Sequence, residues 1–104
     1  MLEIKDNNLS SLKDKECFLL FYFTASWCGP CKKIKPLIEK LSEGLDKSMI
    51  EIYMINIDEN EELSNQYNIK SVPTFLLIQN NKEKGKCSGA DITKVHKLLK
   101  DNMK

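Results

Sequence analysis

The sequence has no apolar run long enough to cross a membrane and no excess of charge of one sign. Its longest strongly apolar run is Cys17–Phe23, far short of the ~18 residues that a membrane helix needs. The chain carries 16 Lys and Arg against 15 Asp and Glu, a net charge of +1, which lacks the basic excess of a nucleic-acid-binding domain. We therefore expect no membrane partner and no nucleic-acid partner.

Internal repeats, low-complexity tracts and linkers rich in Pro, Gly or Ser are missing as well. The 104 residues fit one domain, which we place over residues 1–104, and a monomer is the default for this size. The first ten residues, MLEIKDNNLS, lack the apolar core of a secretory signal. We expect a cytoplasmic protein, with an organelle as the alternative if a targeting segment has been removed.

Histidine is scarce, and this bears on the use of the four cysteines. A zinc site needs about four ligands, usually from two close pairs or from a pair plus histidines. The chain has one close pair, Cys28 and Cys31, while Cys17, Cys87 and the single His96 show no paired spacing. No metal site is expected. A purely structural disulfide is disfavoured because so short a loop adds little stability. Both remain alternatives to a redox-active pair in a reducing compartment.

Apolar runs predict the strands of a single sheet. The pair Asn80-Asn81 tolerates positive φ and predicts a tight turn between the last two strands. The predicted strands are Leu2–Ile4 at an edge, Cys17–Phe23, Met49–Ile57, Thr74–Gln79 and Glu83–Ser88.

Helices are predicted between the strands from apolar residues at helical spacing. Pro36 falls inside the first long stripe and predicts a kink, and Asp91 is placed to cap the last helix. Strands alternating with helices, followed by a hairpin and a final helix, indicate an α/β domain with a mixed sheet. The stripes are Ile34, Leu37, Ile38, Leu41 and Leu45, then Ile92, Val95, Leu98, Leu99 and Met103, with short helices at Leu63–Tyr67 and Leu9–Leu12.

The stretch ASWCGPCKKIKP places the cysteine pair where the first long strand ends and a helix begins. Unpaired N–H groups and the positive end of the helix dipole favour an anion there, and only a thiolate attacks a disulfide. Cys28 is the expected nucleophile, and Cys31, one turn further on, the expected resolving thiol. Gly29 and Pro30 stiffen the ring between them, and Pro30 suits a first turn.

The segment Trp27–Lys32, WCGPCK, resembles the active site of the thioredoxin family. Further matching segments are IKP at 34–36, NID at 56–58, VPT at 72–74 and SGA at 88–90. The resemblance runs over nearly the whole chain with matching spacing.

This resemblance implies a thioredoxin fold, with a central five-stranded mixed sheet flanked by four helices. It implies a cis peptide bond at Pro73 and a docking patch of Trp27, Val72, Gly89 and Ala90, where the Val72 backbone pairs with an extended target peptide. The implied partners are disulfide-containing target proteins and a thioredoxin reductase or glutathione system as electron donor. The exchange itself needs no cofactor beyond the redox-active Cys28–Cys31 disulfide.

Three positions bear on a departure from the family pattern. Tyr22 stands where thioredoxins carry a buried aspartate, and a family lysine position on the middle strand holds Met54, while Lys35 remains before the proline. Because a buried anion raises thiol pKa values, its loss predicts more acidic thiols, a less reducing couple and a slower release step. Tyr22 as simple core packing is the alternative.

The predicted function is reduction of protein disulfides by dithiol–disulfide exchange. Two alternatives stay open: an oxidase-like or isomerase-like variant, and a thioredoxin-fold binding subunit whose cysteines matter little. Cys17 and Cys87 are expected to be buried, with a regulatory thiol as the alternative for Cys87.

Overall fold

The computed structural model describes residues 1–4 and 16–103, which form one five-stranded sheet with helices on both faces. The strand order is β1-β3-β2-β4-β5. β1, β3 and β2 run parallel to one another, β4 runs antiparallel to β2, and β5 runs antiparallel to β4. The strands are β1 (Leu2–Glu3), β2 (Phe18–Thr24), β3 (Ile50–Asn56), β4 (Thr74–Gln79) and β5 (Lys82–Ser88).

The predicted mixed sheet is thus confirmed, with strand ends within a residue or two of the sequence prediction. Side chains alternate across β2, so Leu20 and Tyr22 enter one apolar cluster while Leu19, Phe21 and Phe23 enter another on the opposite face. Burial on both faces explains why β2 reads as a continuous apolar run.

Three helices are described: α1 (Gly29–Gly44), α2 (Glu61–Gln66) and α3 (Ile92–Asn102). Asp91 caps α3 as predicted, since its side chain accepts a hydrogen bond from the Thr93 N–H. Pro36 lies inside α1 on its exposed side. The helix predicted at Leu9–Leu12 lies outside the described residues. Among the residues that are described, no helix is long and apolar enough to span a bilayer.

The prediction that Leu37 belongs to the buried stripe of α1 is wrong. The buried positions are Cys31, Ile34, Ile38 and Ser42, whereas Leu37 is 47% exposed. At about 100° per residue, these four side chains share one face and Leu37 lies beyond its edge. The apolar pattern therefore located the helix correctly but placed its face slightly off.

Gly85 on β5 allows α3 to pack closely against the sheet. A Cβ atom added at Gly85 would lie 2.6 Å from Leu98 Cδ1 and 2.9 Å from Asn102 Nδ2. Leu98 is buried, so the Gly85→Ala variant should lose about 1–2 kcal/mol of unfolding free energy through overpacking. Urea unfolding measures this loss.

The matched control is Gly44→Ala in the last turn of α1, where an added Cβ has no neighbour within 4 Å. Alanine is the better helix former, so this variant should be as stable as the wild type or more so. A Gly85→Ala protein as stable as Gly44→Ala would contradict the packing argument.

Candidate active site

The cysteine pair lies where β2 gives way to α1, as the sequence predicts. Cys28 is the N-cap residue of α1 in extended conformation, and Cys31 lies in the first turn. The two form a disulfide, with their Cα atoms 5.3 Å apart. Both are buried, at 4% and 1% exposure, and pack with Ala25 in a small cluster.

The Cys28 sulfur is placed at the positive end of a helix. The Cys31 N–H donates to Cys28 Sγ over 3.1 Å, in the manner of an N-cap side chain. When the disulfide is reduced, the same N–H and the helix dipole favour a thiolate at this position. Cys28 is therefore better placed than Cys31 to carry the negative charge of a thiolate.

The predicted docking patch is assembled from separate loops around Cys28. The Val72–Pro73 peptide bond is cis, and the Val72 carbonyl oxygen lies 3.8 Å from Cys28 Sγ. The Gly89 N–H donates to the Pro73 carbonyl over 3.0 Å, which holds the loop after β5 against the loop before β4. Ala90 and Trp27 are exposed, the latter at 66%.

One contact of this patch was missed by sequence reasoning. Trp27 Nε1 donates to Asp58 Oδ2 over 2.9 Å, so the exposed indole is fixed to the loop after β3. The Asp58 N–H in turn donates to Asn56 Oδ1. Asn56 and Asp58 both belong to the segment NID at 56–58, whose sequence indicates only a family match.

Tyr22 is fully buried and faces α1. Its ring stacks on that of Phe75, with centroids 5.1 Å apart and planes 8° from parallel. Its hydroxyl donates to the Cys31 carbonyl oxygen over 2.9 Å. Burial raises the pKa of Tyr22 above its ordinary value, so the hydroxyl stays a proton donor at neutral pH. Tyr22 therefore packs in the core, and it also contacts the active-site turn.

Lys35 lines a groove of about 330 Å³ beside the cysteine pair. It lies one turn after Cys31, and the groove also includes Lys32 and Met54. The Lys35 side chain has an acidic neighbour on the same helix. Its ammonium lies 4.0 Å from a Glu39 carboxylate oxygen, although both side chains are about half exposed and the pair is weak.

The other two cysteines lie at opposite ends of the sheet: Cys87, opposite Phe75, is at the end that carries the cis-proline loop, and Cys17 is at the other end. Cys17 precedes β2 and Cys87 is near the end of β5; both are free thiols and half-buried rather than fully buried as predicted. Each packs against an apolar cluster, while His96 is exposed on α3. Within residues 1–4 and 16–103, no three His, Cys, Asp or Glu side chains are grouped to hold a metal.

Burial raises the pKa of the Cys87 thiol, and the nearby Lys94 only partly opposes this. Since alkylation requires the thiolate, Cys87 of the native oxidised protein should react with iodoacetamide about tenfold more slowly than in denaturant. Peptide mapping by mass spectrometry follows each cysteine separately. Equal rates in the two conditions would instead make Cys87 an accessible, regulatory type of thiol.

The thioredoxin family model matches residues 2–102 of the chain. A thioredoxin of Chlorobaculum thiosulfatiphilum is 38% identical over 89 residues, covering 85% of this chain and 82% of that protein. Mitochondrial thioredoxin O1 of Arabidopsis thaliana is 37% identical over 95 residues, covering 89% of this chain. This chain spans only 48% of the length of that second relative.

The fold also matches solved structures. The crystal structure of Schistosoma mansoni thioredoxin superposes with a TM-score of 0.89 at 39% identity. The match covers 96% of this chain and 93% of that one.

Proposed function

The chain belongs to the thioredoxin family, and on that premise we propose that it is a thiol–disulfide oxidoreductase that reduces protein disulfides through Cys28 and Cys31. The observation that carries the proposal is the position of the Cys28 sulfur. It receives an N–H at the start of α1 and faces the Val72 carbonyl beside the docking patch. A target strand laid along Val72 would bring its own disulfide to this sulfur.

The reaction has two exchange steps. The Cys28 thiolate attacks one sulfur of the target disulfide, forming a Cys28–target disulfide and releasing the first target thiolate. The Cys31 thiolate then attacks the Cys28 sulfur, forming the Cys28–Cys31 disulfide and releasing the second target thiolate. Two electrons and the two protons of the dithiol end on the target as two thiols.

Each remaining site residue has a role in this scheme. Gly29 and Pro30 form the short exposed link between the two cysteines, and Trp27 provides an apolar surface fixed by Asp58. Pro73, Gly89 and Ala90 complete the docking surface. Lys35 adds positive charge to the groove next to Cys31, which favours a thiolate there.

The proposed partners follow from the chemistry. The targets are proteins with accessible disulfides, and turnover needs a thioredoxin reductase or a glutathione system as reductant; no cofactor besides the cysteine pair takes part. Two free cysteines suit a reducing compartment, the cytoplasm or an organelle. We propose that a single domain, acting as a monomer, carries the activity.

A single-turnover experiment tests the proposal. Fully reduced protein is mixed with an equal amount of a protein disulfide such as insulin, and thiols are trapped with acid and alkylation. We expect one Cys28–Cys31 disulfide for every target disulfide reduced. Target disulfides that stay intact, or that are reduced without oxidation of this pair, would overturn the proposal.

A further inference from the structure

The hydroxyl of Tyr22 is connected to both active-site cysteines through one peptide group. It donates to the Cys31 carbonyl over 2.9 Å. The N–H of that same peptide, on Lys32, donates to the Cys28 carbonyl over 3.3 Å. The tyrosine hydroxyl, the peptide between residues 31 and 32 and the Cys28 carbonyl thus form one hydrogen-bonded chain, whose members polarise one another.

The helix itself is short of hydrogen bonds at this point. Pro36 has no N–H, so the Lys32 carbonyl, four residues earlier, loses its helical partner. Lys32 immediately follows Cys31, and the missing bond loosens the turn that must hold the resolving thiol. The contact from Tyr22 reaches the neighbouring carbonyl from the sheet, and it fixes this turn where the helix ladder is interrupted.

The ring of Tyr22 ties the same turn to the docking side of the sheet. Tyr22 lies directly opposite Phe75 in the β2–β4 register, and their rings stack. Phe75 lies two residues after the cis Pro73. One side chain therefore contacts both the helix with the cysteines and the strand that follows the docking loop.

Core packing alone does not require the hydroxyl. Phenylalanine would fill the same space, and a hydroxyl at 0% exposure is tolerated only when it has a partner. Here the partners are the backbone carbonyl of the resolving cysteine and the side chain of Thr24.

We propose that Tyr22 is a positioning residue for the second exchange step: its hydroxyl fixes the peptide after Cys31 and so aims the resolving thiol at the Cys28 sulfur. This inference rests on the proposed function. Tyr22 touches no target, so it acts only through the backbone of the first turn of α1. The first step, in which Cys28 attacks the target, does not depend on the orientation of Cys31.

The test is the Tyr22→Phe variant, which keeps the stacked ring and removes only the hydroxyl. Reduced protein is mixed with a protein disulfide and quenched with acid at successive times. Mass spectrometry then follows the Cys28–target mixed disulfide and the Cys28–Cys31 disulfide. We expect decay of the mixed disulfide to slow about five- to tenfold, the effect of one lost hydrogen bond, while its formation changes less than about twofold.

Tyr67→Phe is the matched control. Tyr67 contacts Phe21 and Phe23, on the opposite face of the sheet from α1, so both steps should keep their wild-type rates. A second readout separates positioning from stability: exchange of the Lys32 amide hydrogen should be faster in Tyr22→Phe under native conditions.

Two results would overturn the inference. One is an unchanged decay of the mixed disulfide in Tyr22→Phe; the other is an equal slowing of both steps, which indicates general loss of structure. A wild-type protein that forms no mixed disulfide at Cys28 would instead contradict the proposed function, so the two failures are distinguishable.

Discussion

The Cys28→Ser variant is expected to lose protein disulfide reduction by at least about a thousandfold. Serine is isosteric enough to keep the N-cap hydrogen bond from Cys31, but its hydroxyl does not ionise near neutral pH and does not attack disulfides. Cys31 does not substitute for it, because its side chain is only 1% exposed and it lies inside the first turn of α1 rather than at the N-cap. Reduction of insulin with dithiothreitol as the final reductant measures the loss.

Cys31→Ser separates the two steps of the same scheme. Cys28 still attacks, and the reaction stops at a stable Cys28–target disulfide that migrates as a larger species on a non-reducing gel. Cys87→Ser is the control: this free, half-buried thiol takes no part in the proposed exchange, so its variant should reduce insulin at the wild-type rate.

The double variant Cys28→Ser, Cys31→Ser distinguishes an enzyme from a binding subunit. A thioredoxin-fold subunit that acts only through its docking patch would keep its function without either thiol. If the double variant keeps its full function, the proposed enzyme activity is contradicted. If the double variant loses its function, the proposal is supported.

The Tyr22→Asp variant is expected to show the second large effect, a loss of about 3–5 kcal/mol of unfolding free energy. The substitution removes a fully buried ring that stacks on Phe75 and puts a carboxyl group into the space. Because that carboxyl group is buried, its pKa in the folded protein is raised. Its destabilising effect is small in acid and grows as the pH rises above the unfolded value of about 3.9.

The same variant tests how Tyr22 affects the pKa values and the reduction potential of the two thiols. A carboxylate near Cys31 disfavours a second negative charge, so the thiols of Tyr22→Asp should titrate at higher pH than those of the wild type. The couple should also be more reducing. Thiolate absorbance in the ultraviolet follows the titration.

Tyr22→Asn is the matched control, because it creates nearly the same cavity without the charge. The difference between the Asp and Asn variants isolates the electrostatic effect from the loss of packing. If the two variants titrate alike, the hypothesis that the missing acid makes the thiols more acidic is wrong.

Much of the fold could be predicted because its signals are local. The run FLLFYF is apolar throughout since β2 is covered on both faces. Asn80 and Asn81 have the positive φ values, 52° and 63°, that their turn requires. The residues of the predicted docking patch come from short motifs that resemble those of the family, and the peptide bond before Pro73 is cis, as this resemblance implies.

The contacts that could not be predicted join residues of different strands, helices and loops. No local sequence pattern indicates that the hydroxyl of Tyr22 donates to the Cys31 carbonyl, or that Asp58 accepts a hydrogen bond from the Trp27 indole. Cys17 and Cys87 show the same limit: both lie near the ends of strands, where packing covers the side chain only in part.

The reduction potential of the Cys28–Cys31 couple tests the central claim most directly. It is measured by equilibration with dithiothreitol and glutathione buffers of known ratio. The account predicts a value between the about −270 mV of thioredoxin and the about −200 mV of glutaredoxins, above the former because the buried acid is absent. A value near the about −120 mV of a strong dithiol oxidant would contradict a reductase and indicate the oxidase-like alternative.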